Sequence, residues 1–284
     1  MSALGAGRPR NDPVTKLETQ LVNARHGIML VNPRDYFVGQ AIIAYGEYSE
    51  PEWQALAALV NQSQGDVVEI GANIGAHSVP LARALSDRGR RLIAFEPQPV
   101  VFQMLCANLA LNGLANALAW PFACGAEPGV VAFAPPDYAA VGNFGAVEMI
   151  AGAGAGTQPV PRVRLDDWAG ESRIGLIKID VEGQELAALT GATATLARHR
   201  PLLYLENDRL DRSPELITWL DAAGYRLWWH LPPLFSATNF FGQAENRYPN
   251  LVSVNMIGVP REIDAQMGDL RPVVDAAWHP LRPA

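Results

Sequence analysis

The run Asp66-Val67-Val68-Glu69-Ile70-Gly71-Ala72-Asn73-Ile74-Gly75-Ala76-His77-Ser78 constrains the fold more than any other part of the chain. An apolar stretch that breaks at two nearby glycines describes a buried strand, a tight turn and a helix start, the geometry of a nucleotide site. The dinucleotide fingerprint Gly-x-Gly-x-x-Gly needs its second glycine so that a pyrophosphate can approach the backbone. Asn73 stands there instead, while Gly71 and Gly75 still permit the turn. Glu69 precedes the first glycine, where its charge repels a pyrophosphate and attracts a cation. Glu96 follows Gly75 by 21 residues and ends the next apolar run, where a carboxylate can accept both ribose hydroxyls.

Two acids bracketing one turn suit a nucleoside that carries positive charge. S-adenosylmethionine, with its sulfonium and ammonium groups, is the expected cofactor. Glu69 would face its amino acid end and Glu96 its ribose. Gly71, Asn73, Gly75, His77, Ser78 and Pro97 complete the expected cradle. An NAD-dependent oxidoreductase is the rival that the same turn suggests, and Asn73 argues against it.

Downstream of the turn, strands and helices alternate. Strands are expected at Val67 to Ile70, Leu92 to Phe95, Ala117 to Phe122, Leu176 to Val181, Leu202 to Glu206, Tyr225 to Trp229 and Leu251 to Val259. Further short strands fit Gly27 to Val31, Val130 to Phe133 and Arg162 to Leu165. Helices are expected at Ala76 to Leu85, Pro99 to Leu111 and Glu185 to Leu189, the last with a break at Gly191. Ser213-Pro214-Glu215 reads as the N-cap and first turn of another helix. Ser49 and Glu52 have capping-box spacing ahead of an apolar run from Trp53 to Val60. Alternation of this kind predicts a mainly parallel sheet covered on both faces. Residues 1–12 read as a flexible tail, 13–64 as a cap packed on the core, and 65–284 as the nucleotide-binding domain. The Ala/Gly stretch from Ala151 to Gly156 reads as a flexible loop.

The bulk numbers exclude several classes. A 49% hydrophobic fraction over 284 residues supports a sizeable core rather than global disorder. The net charge of −7 argues against a surface built to grip nucleic acid. No uninterrupted apolar run is long enough to span a membrane. Met1 to Asp12 lacks the apolar block of a signal peptide, so a cytoplasmic location is expected. Two cysteines alone make neither a zinc site nor a disulfide framework. The apolar, Trp-rich C-terminal half leaves room for an interface between copies.

The motifs, in order, resemble the FkbM family of class I S-adenosylmethionine-dependent methyltransferases. They are Glu69 to Gly75, Phe95-Glu96-Pro97, Asn108 to Asn112, Lys178 to Glu185, Gly191-Ala192 and Tyr204 to Asn207. Gly27 to Glu52 and His230 to Asn255 are similar to a subset of the family. The resemblance implies a Rossmann-like α/β fold with a seven-stranded, mainly parallel sheet and an antiparallel last strand. It also implies methyl transfer, often to oxygen, on varied acceptors. A small molecule or glycan is the expected acceptor. N-methylation and a catalytically silent binding module remain alternatives. Many members carry Asp where Glu69 stands, and the Ala/Gly loop looks like a local insertion.

Methyl transfer requires alignment of nucleophile and methyl group, and a hydroxyl nucleophile also gains from a base. Asp180, Glu182, Glu206 and His230 are the candidate bases. Asp180 ends a central strand, on the side where open α/β sheets bind ligands. Lys178 shares its face with Asp180 and Glu182 and reads as a charge partner. Asp180 and Glu206 could share a proton or hold a divalent cation; no accompanying Asp-Asp or Asp-Asn ligand pair favours a metal. Asn143 and Phe144 are candidates for contact with adenosine. Tyr45, Glu47, Glu50 and Asn239 are weaker candidates for the acceptor side.

Overall fold

A computed structural model describes residues 17–152, 154–168, 172–265 and 267–282. The tail expected at 1–12 lies outside the described residues. A hairpin of β1 (Gln20–Ala24) and β2 (Gly27–Val31) leads into α1 (Val38–Tyr45) and α2 (Glu50–Gln62). The signature run forms β3 (Asp66–Ile70) and opens α3 (Ser78–Ser86). Next come β4 (Leu92–Phe95), α4 (Pro99–Leu111) and β5 (Ala117–Trp120). Four short strands follow, β6 (Ala123–Cys124), β7 (Gly129–Phe133), β8 (Ile150–Ala151) and β9 (Gln158–Val163). The chain closes with β10 (Ile174–Ile179), α5 (Glu185–Thr190), α6 (Thr193–His199), β11 (Leu202–Glu206), α7 (Ser213–Ala222), β12 (Tyr225–His230) and β13 (Asn255–Pro260).

Seven strands form the central sheet in the order β12-β13-β11-β10-β3-β4-β5. The β5, β4, β3, β10 and β11 strands pair in parallel, while β13 inserts antiparallel between β11 and β12. The fold is therefore the expected Rossmann-like α/β class, with its last strand reversed. Parallel strands covered on both faces read as continuous apolar runs. Alternation then divides their side chains: Val67, Leu176 and Leu202 pack with α2, α3 and α4, and Val68, Ile177 and Leu203 with α5, α6 and α7. The sheet edge at β5 is followed by a separate four-stranded sheet, β6-β9-β7-β8.

Several local expectations are corrected. Ser49 does not cap α2 through its side chain; it takes φ 44° and its hydroxyl donates to Glu52 Oε2 at 3.2 Å. The two side chains thus bond to each other, and the Glu52 and Trp53 amides donate to the Ser49 carbonyl instead. Ser213 lies inside α7, with Arg212 at the N-cap position. Its hydroxyl is engaged by Asn207 Nδ2 at 2.9 Å. The strand expected at Arg162 to Leu165 starts earlier, and Leu165–Asp167 turns into a 3-10 helix. The strand expected from Leu251 begins only at Asn255. Gly191 separates two helices, and its position against the Gly125 carbonyl leaves no space for a side chain. The Ala/Gly stretch begins as the end of β8, and its Ala153 lies outside the described residues.

Candidate active site

A cavity of about 520 Å³ opens at the C-terminal ends of β3, β4, β10 and β11. Parallel α/β sheets place ligands there because the turns following the strands diverge. Gly71, Asn73, Glu96, Asn143, Asp180, Glu182 and Glu206 line it. So do Tyr48 and Glu52 from the N-terminal segment, and Asp208, Arg209 and Asn255 from beyond β11. Pro97 lines a smaller adjoining pocket together with Phe133, Val147 and Met149.

The turn after β3 shows why glycine is needed. Gly71 has φ 85°, and an added Cβ would run into the Asp180 carbonyl oxygen. Asn73 also takes a left-handed conformation, φ 50°, and its Oδ1 accepts from the Ile74 amide at 2.7 Å. Glu96, at the end of β4, accepts from the Asn73 amide through Oε2 and from the Gln98 amide through Oε1, both at 2.9 Å. Those bonds fix the carboxylate against the cavity wall. Burial outweighs them and pushes the Glu96 carboxyl up to about 7.

One sheet face carries two polar rows. The inner row is Glu69, Lys178 and Tyr204, in register on β3, β10 and β11. Lys178 is 2% exposed, 3.7 Å from Glu69 Oε1 and 3.2 Å from Asp180 Oδ2. Burial would depress the Lys178 ammonium, but Asp180, Glu69 and Glu52 together raise it instead. The outer row follows one step nearer the strand ends, with Asp180, Glu206, Asn255 and His230. Burial, opposed by Lys178, holds the Glu52 carboxyl at about 7. Burial and Asp180 raise Glu182 to about 7 despite its 2.6 Å ion pair with Arg209. Glu206 is raised well above the carboxylate range, by burial first and then by Asp180, Asp208, Glu182 and Glu185. Its Oε2 has no hydrogen-bond partner among the described residues.

A family model described as the methyltransferase FkbM domain matches residues 69–227, more than half of the chain. The chain belongs to the FkbM methyltransferase family. No curated protein matches it. Among solved structures it is similar to methyltransferase FkbM from Methylobacillus flagellatus KT, at 17% identity and a TM-score of 0.45. That likeness covers 74% of this chain and 58% of the other, so the chain spans less than two thirds of that relative. A SAM dependent methyltransferase from Agrobacterium tumefaciens is 13% identical over 86% of this chain and 71% of its own, TM-score 0.48. The TYW2 protein of M. jannaschii, solved in complex with AdoMet, is 12% identical over 86% of each chain, TM-score 0.43.

Within this FkbM chain, not every expected residue reaches the cavity. Glu69 lies one residue short of the strand end and points beneath α3. There it accepts from the Ser78 hydroxyl at 2.5 Å and faces Lys178. Ser78 is spent on that bond, and buried His77 faces Glu52 at 3.7 Å. Gly75 serves the turn, and buried Phe144 packs against Tyr138 while its carbonyl accepts from Gln98. None of these five is among the cavity-lining residues.

The same holds for His230. Its Nδ1 lies 2.9 Å from the Tyr204 hydroxyl, and burial lowers its pKa. The acceptor-side candidates turn out to be struts. Tyr45 Oη bridges the Glu245 carbonyl and the Arg247 amide. Glu47 accepts from Arg25 and from the Phe240 amide, and Glu50 meets His26 at 2.7 Å. Asn239 closes its own loop onto Ser236 and Gln243. In their place the N-terminal segment contributes Tyr48 and Glu52. The capping pattern marked Glu52 in the sequence, and it pointed to a different role.

Among the described residues no group of three or more His, Cys, Asp or Glu side chains is arranged to hold a metal ion. Nor is any helix among them long and apolar enough to cross a membrane.

Proposed function

We propose that the chain transfers a methyl group from S-adenosylmethionine to a hydroxyl of a small molecule or glycan. One observation carries this reading: the strand-end cavity has Glu96 on one side and the Asp180–Glu206 pair on the other. The residues present fit the donor. Gly71 lines the cavity with backbone alone, and Glu96 is held where it can accept ribose hydroxyls. The wall holds six carboxylates, Glu52, Glu96, Asp180, Glu182, Glu206 and Asp208, against one guanidinium, Arg209. That balance favours a sulfonium and an ammonium and opposes a pyrophosphate. When bound, the donor supplies a methyl group already activated by positive sulfur.

The chain itself orients, neutralises charge and moves a proton. Lys178 pairs with Asp180 at 3.2 Å beside the cavity. Glu206 and Asp180 stand where the proton of an attacking hydroxyl must go. Calorimetric titration with S-adenosylmethionine tests the donor site. Glu96→Ala is expected to weaken donor binding by roughly 10²–10⁴-fold, since two hydrogen bonds to a charged group are worth about 1.5–3 kcal/mol each. Unchanged affinity in that variant would refute the site. Transfer of labelled methyl to hydroxyl acceptors tests the reaction. Label appearing only in amines would establish the N-methyl alternative, and binding without any turnover would establish a silent module.

A further inference from the structure

At the outer end of the cavity three strand ends lie side by side. Glu206 ends β11, Asn255 begins β13 and His230 ends β12. Asn255 is the direct antiparallel partner of both Glu206 and His230. Residues opposed in this way project from the same face, with Cβ atoms roughly 4.5–5.5 Å apart. Asn255 is 3% exposed and lines the cavity. Its carboxamide leans on the Tyr204 hydroxyl, a contact that offsets part of the burial-driven rise in the Tyr204 pKa, but its Nδ2 makes no hydrogen bond of good geometry among the described residues. Glu206 also lines the cavity, and its Oε2 is likewise buried without a partner. A buried donor and a buried acceptor are thus left open next to each other, and neither is used by the other.

Unpaired buried polar groups in a native fold call for an explanation. One ligand group satisfies both at once. A hydroxyl accepts through its oxygen and donates through its proton. An ammonium has no lone pair to offer Asn255. A carboxylate, sulfate or phosphate on the ligand would meet the acidic wall.

We propose that Glu206 and Asn255 form the acceptor clamp, Asn255 Nδ2 donating to the hydroxyl oxygen and Glu206 Oε2 receiving the hydroxyl proton. This rests on the methyl-transfer reading. The hydroxyl oxygen forms the new bond to the methyl carbon. The methyl–sulfur bond breaks with its electron pair left on sulfur, and the hydroxyl proton ends on Glu206, whose own proton has left beforehand as the cationic donor binds and favours the ionised form. The acceptor class is accordingly a neutral or cationic hydroxyl compound, without an acidic group near the methylated position.

Calorimetry with S-adenosylmethionine is run first on the wild type and on each variant. Labelled donor is then offered with monosaccharides, phenols and amino alcohols, beside matched amines and hydroxy acids. Label is expected in the hydroxyl compounds as an alkali-stable ether, with hydroxy acids at least roughly tenfold slower. On the best acceptor, Glu206→Gln lowers kcat by roughly 10²–10⁴-fold. Asn255→Asp raises KM roughly tenfold, as loss of one hydrogen bond predicts. Donor affinity stays within about threefold in Asn255→Asp, since Asn255 is not assigned to the donor, and the acceptor effects of Glu206→Gln are read at saturating donor. The double variant E206Q/N255D exchanges donor and acceptor and recovers at least roughly tenfold of the kcat/KM lost by Glu206→Gln. A purely structural role would give no such recovery.

Label confined to amines or acids, no labelled hydroxyl compound, or wild-type kcat/KM in both single variants overturns the clamp. A wild type that does not bind the donor overturns the methyl-transfer reading and the clamp with it. A wild type that binds the donor but labels no hydroxyl compound overturns the hydroxyl-transfer reading and the clamp together, whereas one that labels hydroxyl compounds and keeps wild-type kcat/KM in both single variants overturns the clamp alone.

Discussion

Lys178→Met isolates what the buried cation does. The side chain is 2% exposed and stands 3.7 Å from Glu69, itself 1% exposed. Its second partner, Asp180, has a side chain 39% exposed, so water screens that contact and Glu69 dominates the cost. Methionine keeps the length and apolar bulk of the stem and deletes the charge. Removing one partner of a buried ion pair costs about 3–5 kcal/mol. In a domain of this size each kcal/mol moves the melting midpoint by about 2–4 °C, so a drop of roughly 6–20 °C is expected at pH 8.

The loss should depend on pH. Burial raises Glu69 and Glu52 above the ordinary 4.5, and Lys178 pulls both back down. Without Lys178 both rise further. A carboxylate with a raised folded-state pKa costs stability above its unfolded pKa, and the cost grows until the pH passes the folded value. As the pH falls toward 5 these groups take up protons in the folded variant, and the penalty shrinks. Thermal and urea melts of both proteins at pH 5 and pH 8 check this. A penalty under about 1 kcal/mol at pH 8, the range of an exposed pair, refutes the reasoning. So does an equal penalty at both pH values.

Other outcomes follow from the same geometry. Gly71→Ala forces a side chain onto the Asp180 carbonyl at φ 85° and should destabilise by about 2–4 kcal/mol, adding left-handed strain to overpacking. An unshifted melting curve would show that the turn can yield. Donor binding at pH 7 should release protons, because Glu52, Glu96 and Glu182 sit near 7 and a bound cation favours their ionised forms. Calorimetry in two buffers of different ionisation enthalpy measures the release, and a value of zero counts against the cationic ligand. His230→Ala should keep turnover within about threefold of wild type, since the ring does not line the cavity. A fall of roughly 100-fold, as expected for a lost base, would restore it as a candidate.

Much of the scaffold could be read without coordinates. Leu202–Glu206 and Pro99–Leu111 coincide with β11 and α4 to the residue, because each is a strongly apolar block bounded by clear breakers. Residues close in sequence to their turn were also legible. Asn73 and Glu96 meet at the first glycine turn through a single 2.9 Å bond. Less regular pieces escaped. In β1 only Val22 is buried, so Gln20–Ala24 carries no apolar signal. Helix α6 was hidden behind Gly191, a glycine that separates two helices where a single ending was expected. Glu52 carries a capping pattern, and only the packing of α2 turns its side chain to the cavity.

The sequence by itself determined the strand–glycine–helix turn, the two-faced parallel sheet and the acid at the end of β4. These follow from periodicity and backbone sterics, which act over a few residues. Tertiary structure alone decided which acids face the cavity and which are consumed in the core. Glu69 carries the same charge as Glu96, but one step of register sends it under α3 to Ser78 and Lys178. Insertion of β13 beside β11 sets Asn255 against Glu206, residues far apart along the chain. Burial and pairing depend on which strands become neighbours, and that choice is made by the packing of the whole sheet.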